Sequence, residues 1–219
     1  MDIHSGMKLK ILQAGSLVLH QEARELSKEE ILSPFIQQLI EMMKETVRDA
    51  PGVGLAAPQV GLPFKMAIIE DRAEYHEAWT SEQLEERGRK PVAFHAIFNP
   101  KIFFDTNEKV EFFEACLSFN GITGLTPRAT AVRVECLNEK AEPIVISAKG
   151  WYARILQHEI DHMQGILFVG RADSRTLMTM ENFNRFWRNK PLAEVKQQFC
   201  PSCEEGVSQG VSILKKWFN

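Results

Sequence analysis

Two histidines with three residues between them, His158 and His162, constrain this chain more than any other feature. If Gln157 to His162 is helical, the two imidazoles lie one turn apart on one face and can reach a single ion. Glu159 then sits beside the first imidazole, able to touch a water held there without being a ligand. The flanks favour a helix. Trp151, Ile155 and Ile160 give apolar spacing without an intervening proline, and Gly165 is a natural stop. An ordinary helix can carry the same short pattern, so a third ligand has to come from elsewhere in the chain.

The chain has 219 residues, 44% hydrophobic and 25% charged, which suits one domain with a substantial core. A net charge of −3 and a pI near 6.1 argue against broad nonspecific nucleic-acid binding. The N-terminal residues carry no apolar signal core, and no apolar run is long enough to span a bilayer. Cys116, Cys136, Cys200 and Cys203 therefore read as reduced thiols or metal ligands in a cytoplasmic enzyme.

Taken in order, Leu9 to Leu19 reads as an extended segment packed on the body. Ser27 to Glu30 can form a capping box, but Ser33-Pro34 is the better helix start, with an N-cap serine and proline at the first helical position. The stripe Ile36, Leu39, Ile40, Met43 and Val47 predicts a core-packing helix that ends near Asp49-Ala50-Pro51. Gly52 to Gln59 is a small-residue loop whose glycines permit close backbone approach, with Gln59 as its only long polar side chain.

Lys65 to Glu70 predicts a strand. Asp71 to Lys90 reads as a charged surface insertion with a short helix around Ser81 to Arg87. Val92 to Phe104 and Lys109 to Phe113 read as strands, with breaks at Asn99-Pro100 and at Asp105-Thr106-Asn107. Ala131 to Leu137 and Pro143 to Ala148 form a hairpin around Asn138-Glu139-Lys140. The class is α+β, with mostly antiparallel sheets packed around the histidine-bearing helix. Between strands, Glu114 to Ser118 reads by itself as a buried core thiol. Asp173-Ser174 caps an expected helix from Arg175 to about Arg188, ended by Lys190-Pro191. Beyond it, Cys200 and Cys203 form one C-x-x-C without a second pair, and Val211 to Phe218 is a short amphipathic piece.

Three segments need a joint explanation: Gly52 to Gln59, Glu114 to Ser118, and His158 to His162. In this order they resemble the motifs of the peptide deformylase family, G-φ-G-φ-A-A-P-Q, E-G-C-φ-S and H-E-φ-D-H. The resemblance covers residues near 8 to 188. It divides the chain into a catalytic domain over 1–190 and a tail over 191–219. One position departs: Ala115 stands where the family has glycine, which costs about 1 kcal/mol if that glycine's φ is closed to alanine.

The resemblance implies that Cys116, His158 and His162 hold one divalent metal ion, Fe(II) natively with Zn, Ni or Co as substitutes, and that water takes the fourth position. It implies removal of the N-formyl group from nascent N-formylmethionyl polypeptides, with Glu159 moving the proton and the Gln59 amide and Leu117 N–H holding the developing oxyanion. Gly54 lets the substrate backbone approach. Val53, Phe112, Trp151 and Ile155 are candidates for the methionine pocket, and Asp161 for helix packing behind the ligands. Two rival readings stand beside this one. A zinc metallopeptidase of the thermolysin kind takes Glu181 as third ligand, whereas a metzincin needs histidine where Phe168 stands. A deformylase-like fold can also persist as a binding module without turnover. Arg185, Arg188, Lys190 and Lys196 suggest ribosomal RNA as a further partner; neither DNA nor a membrane is expected.

Overall fold

The structure is a computed structural model that describes residues 7–104 and 106–199. Cys200, Cys203 and the 211–218 piece lie outside the described residues. Both predicted helix starts are used. Ser27 and Glu30 form a reciprocal capping box on a single turn, α1 (Lys28–Ile31). Ser33 then caps α2 (Pro34–Asp49), whose stripe of Ile36, Leu39, Ile40, Met43 and Val47 is buried.

Strand β1 (Gly54–Ala56) comes out of the small-residue loop and pairs with β2 (Met66–Asp71). A charged segment with helix α3 (Ser81–Glu86) leads to β3 (Val92–Phe104). β4 (Lys109–Cys116) and β5 (Phe119–Ala129) form the next hairpin, followed by β6 (Ala131–Leu137) and β7 (Pro143–Lys149). Helix α4 (Gly150–Met163) carries the two histidines. It stops where Gly165 adopts φ +72°, with the backbone of His20 so close that a β-carbon could not fit.

Two antiparallel sheets result, ordered β1-β2-β3-β6-β7 and β4-β5-β8, where β8 is Met178–Thr179. The expected α+β class with a central helix is what forms. The five-stranded sheet lies between two helices, and the near-continuous apolar run of β2 follows from that. Ala67 and Ile69 pack in the cluster that holds Ile155, Leu156, Ile160 and Met163 of α4. Met66 and Ile68 pack with the apolar stripe of α2 on the other face.

Several expectations need correction. Asn99-Pro100 does not end the strand. β3 runs through it with a register jump between Phe98 and Lys101. Asn99 turns to φ +49°, and its side chain both accepts from and donates to the Leu26 backbone at 2.9 and 2.7 Å. β5 shows no strand pattern in the sequence, because Gly121, Gly124 and Pro127 break its apolar run. β4 continues past Phe113 to Cys116, so Glu114 and Cys116 are strand residues and not part of a connecting loop.

The expected helix from Arg175 to Arg188 is replaced by β8, the short turn α5 (Met180–Asn182) and a π-helical turn over Phe183–Trp187. Thr176 causes the change. Its hydroxyl accepts the Leu125 N–H at 2.9 Å and donates to the Asp173 carbonyl at 2.7 Å, which lays the segment along β5. A final helix, α6 (Leu192–Phe199), docks through the fully buried Val195 and an ion pair between Lys196 and Glu111.

The insertion over 71–90 is not merely a solvated face. Asp71 is wholly buried, and Arg89 donates to it twice at 2.8 Å. Arg87 lies 4.8 Å over both Trp79 and Phe112, and Arg89 lies 5.2 Å over Trp151. The charge pattern misled because guanidiniums can be buried by stacking and pairing. Removing one partner of such a pair leaves the other charge buried and costs about 3–5 kcal/mol. Asp71→Asn is therefore expected to lower the unfolding free energy read from a urea titration by that amount, whereas Asp49→Asn, in an exposed pair with Lys8, stays within about 1 kcal/mol of the parent.

Candidate metal and catalytic site

Each part of the site reaches it from a different element. Cys116 ends β4, just before the two-residue turn into β5, and is buried. His158 and His162 project from α4 with ring centres 5.0 Å apart. Cys116 Sγ lies 3.2 Å from His162 Nε2. One donor atom from each of the three residues falls within 4.8 Å of the others. On the other side of the His158 ring, Phe168 stacks at 24° with centres 6.3 Å apart, occupying the position at which a metzincin would place a ligand.

Behind the donors lies a buried ionic network. Glu114 accepts from His158 Nδ1 at 3.1 Å, from Arg128 Nε and Nη2 at 3.0 Å each, and from Arg154 Nη1 at 2.6 Å. Arg128 bridges onward to Asp161, which Arg171 also clasps. Asp161 is thus engaged by Arg128 and Arg171 and is not among the converging donors. Arg128 and Arg154 were missed in the sequence. The available signal was a charged residue on the apolar face of α4, but its partner lies on a strand forty residues earlier.

This network sets the charges. Burial alone would raise Glu114, but the His158 hydrogen bond and the Arg128 guanidinium hold it well below the usual carboxylate range. Burial works against charge on His158 too, yet its hydrogen bonds to Cys116 and Glu114 hold it well above its ordinary value. Burial and then the neighbouring His158 keep His162 well below.

One thiolate and two imidazoles suit a divalent ion with ligand bonds of about 2.0–2.3 Å. The residues therefore fit such a metal. In the same cleft as Cys116 and His158, Glu159 is buried with one carboxylate oxygen lacking any partner. Burial pushes Glu159 up to about 7.

Gln59 completes the wall. Its side-chain oxygen accepts the Ala56 N–H at 2.8 Å, which fixes the amide orientation and turns Nε2 toward Cys116 Sγ at 3.6 Å and Ser118 Oγ at 3.2 Å. Gly54 passes so close to the Glu159 carboxyl that a β-carbon would collide with it. Leu117 lies in the turn after Cys116, its carbonyl accepting from Gln13.

These groups lie along a cleft of about 500 Å³. Val53, Gly54, Trp151 and Ile155 line it. Phe112 does not. Strand alternation points it inward under Arg87 and Arg154, and its neighbour Phe113 lines the cleft instead. Trp79, Met180 and Phe183 also line it, from the insertion and the C-terminal turns, with no local signal in the sequence.

Ala115 lies on the cleft wall opposite Thr123, at the point where the β4–β5 register shifts before Cys116, and does not have positive φ. The strain foreseen for alanine is therefore absent, and its methyl only takes up groove space. Glu181 is exposed on α5 and does not belong to the converging donors, so the thermolysin-like reading lacks its third ligand. Metal binding separates the two sets. Cys116→Ser is expected to weaken Co(II) or Zn(II) binding at least about a hundredfold in a chelator competition, whereas Glu181→Ala leaves it unchanged.

Comparison with known proteins agrees with this geometry. Residues 8–177 match the family model described as polypeptide deformylase. Peptide deformylase 1A, chloroplastic, of Solanum lycopersicum is 41% identical over 174 residues, which is 80% of this chain and 63% of that protein's length. Peptide deformylase 3 of Streptomyces avermitilis is 37% identical over 191 residues, 87% of this chain and 82% of the relative. The Met-Ala-Ser-bound class I type b peptide deformylase of Acinetobacter baumannii superposes with a TM-score of 0.68 at 31% identity, covering 76% of this chain and 99% of the other. A donor set assembled from three separated motifs, on a fold shared with relatives of this identity, leaves one assignment: the chain belongs to the peptide deformylase family.

Proposed function

We propose that this chain hydrolyses the N-formyl group from the N-formylmethionyl end of nascent polypeptides, releasing formate. The observation that carries the reading is the convergence of Cys116, His158 and His162 beside the Gln59 amide and the Glu159 carboxyl, at one end of a cleft able to take an extended peptide. These three residues would hold a divalent ion, which we take to be Fe(II), with Zn, Ni or Co able to replace it. When bound, the ion supplies Lewis acidity toward the formyl carbonyl and toward a water.

The chain's own groups do the rest. Glu159 takes the proton of the attacking water and delivers it to the leaving amine, so that the C–N bond breaks to a neutral product. Gln59 Nε2 and the Leu117 N–H donate to the oxygen on which charge develops. The bare backbone at Gly54 leaves room for the substrate chain beside Glu159. Val53, Trp151 and Ile155, with Phe113, receive the methionine side chain. A formyl carbon bears only hydrogen, and a site this confined rejects bulkier acyl groups.

The proposal extends to the nascent chain and stops short of the ribosome. Arg188 donates to the Ala78 carbonyl and stacks on Trp79, Lys190 pairs with Glu194, and Lys196 pairs with Glu111, so three of the four basic residues are engaged within the chain. Among the described residues no helix is long and apolar enough to cross a membrane. A cytoplasmic location remains our reading, tested by fractionation of the native source.

The test is formate release from formyl-Met-Ala-Ser by anaerobically prepared protein with its metal content measured. The parent is expected to turn over. Glu159→Gln should lose about 10²- to 10⁴-fold in kcat with metal retained. Gly54→Ala, which displaces the Glu159 carboxyl, should lose kcat while binding the Met-Ala-Ser product more weakly. A parent holding one metal per chain yet releasing no formate would refute the proposal and favour the binding-module reading.

A further inference from the structure

Three consecutive residues of the N-terminal segment grip the metal site from behind. The Leu12 N–H donates to the Gln59 carbonyl at 2.8 Å, and the Ala14 N–H donates to the Ser118 carbonyl at 2.7 Å. Between them, the Gln13 side chain makes two bonds across the turn after Cys116. Its Oε1 accepts the Asn120 N–H at 3.1 Å, which fixes the amide orientation, and its Nε2 donates to the Leu117 carbonyl at 2.9 Å.

That carbonyl belongs to the Leu117–Ser118 peptide, whose N–H points at Cys116 Sγ at 3.4 Å. The result is one line of hydrogen bonds, from Gln13 Nε2 through a single peptide unit to the candidate ligand sulfur. Each bond in such a line polarises the next. Bonds donated to a metal-bound thiolate draw electron density from sulfur and so set how strongly it donates to the ion.

We propose that Gln13 is a positioning residue for the metal centre: it holds the Leu117–Ser118 peptide so that its N–H donates to the Cys116 sulfur, and through that bond it tunes the thiolate toward the bound ion. The inference rests on the metal-site reading above. The same grip holds Leu117, whose N–H is the proposed oxyanion donor, in a fixed turn. Gln13 itself is exposed and touches neither substrate nor metal, so its replacement leaves the core packing intact.

The test uses the full chain loaded with Co(II), whose thiolate charge-transfer absorption reports on sulfur directly. Two variants are compared with the parent. Gln13→Ala removes both bonds. Gln13→Glu keeps the shape and the acceptor for the Asn120 N–H but loses the donor to the Leu117 carbonyl. Both variants are expected to move the charge-transfer band to lower energy, because the sulfur keeps more of its electron density, and to raise the Co(II) dissociation constant about tenfold, because the turn that positions Cys116 is no longer held. A band and a dissociation constant identical to the parent's in both variants would overturn the role of Gln13. A Co(II)-loaded parent without any thiolate charge-transfer band would instead overturn ligation by Cys116, and the role of Gln13 with it.

Discussion

The carboxylate of Glu114 is the interaction on which the rest of this structure depends. It lies almost wholly out of water, which is costly for an anion unless every oxygen is met by a donor. Arg128 from β5, and Arg154 and His158 from α4, meet it. Those contacts join the small sheet to the central helix, and Arg128 carries the connection on to Asp161 one turn further along α4. One carboxylate thus orients the imidazole of His158, a proposed metal ligand, and fixes how β4, β5 and α4 sit against each other. The site is rigid because separating these elements would strand several buried charges at once.

The five-stranded sheet supplies the opposing wall. β1 runs past α4 so closely that Gly54 and Glu159 share the same space, with no room for a side chain on the strand. Gln59 follows one turn later, its amide locked by the Ala56 N–H. The outer part of the cleft is built from the two segments with the least regular sequence. The insertion is anchored by the buried Asp71–Arg89 pair, and the C-terminal turns are tied to it where Arg188 bonds the Ala78 carbonyl. Trp79 and Phe183 reach the cleft from these two segments. A protein with the same inner site but a different insertion would present a different outer groove.

Features set by local physics were legible in the sequence. The capping serines, the proline after Ser33 and the apolar stripe of α2 define that helix without reference to anything distant, because capping and the 3.6-residue period act within a few residues. The four-residue histidine spacing placed both rings on one face of α4 for the same reason. The α+β class followed from short alternating runs preceding a late helix. By contrast, β5 was hidden by Gly121, Gly124 and Pro127, whose local preferences are overridden once β4 and β8 pair with it on either side.

What the sequence by itself determined, then, is the set of groups that can do chemistry and the helix that carries two of them. Tertiary structure decided which groups meet. Whether Phe112 or Phe113 faces the cleft depends on which side of β4 lies against α4, and that is settled by where the Glu114 charge finds its partners. Whether Arg87 and Arg89 are solvated or buried depends on Trp79, Trp151 and Asp71 being within reach. Charges, strand faces and cleft walls are satisfied through space by residues far apart in the chain, so local pattern cannot assign them, whereas caps and helical faces are complete within a single turn.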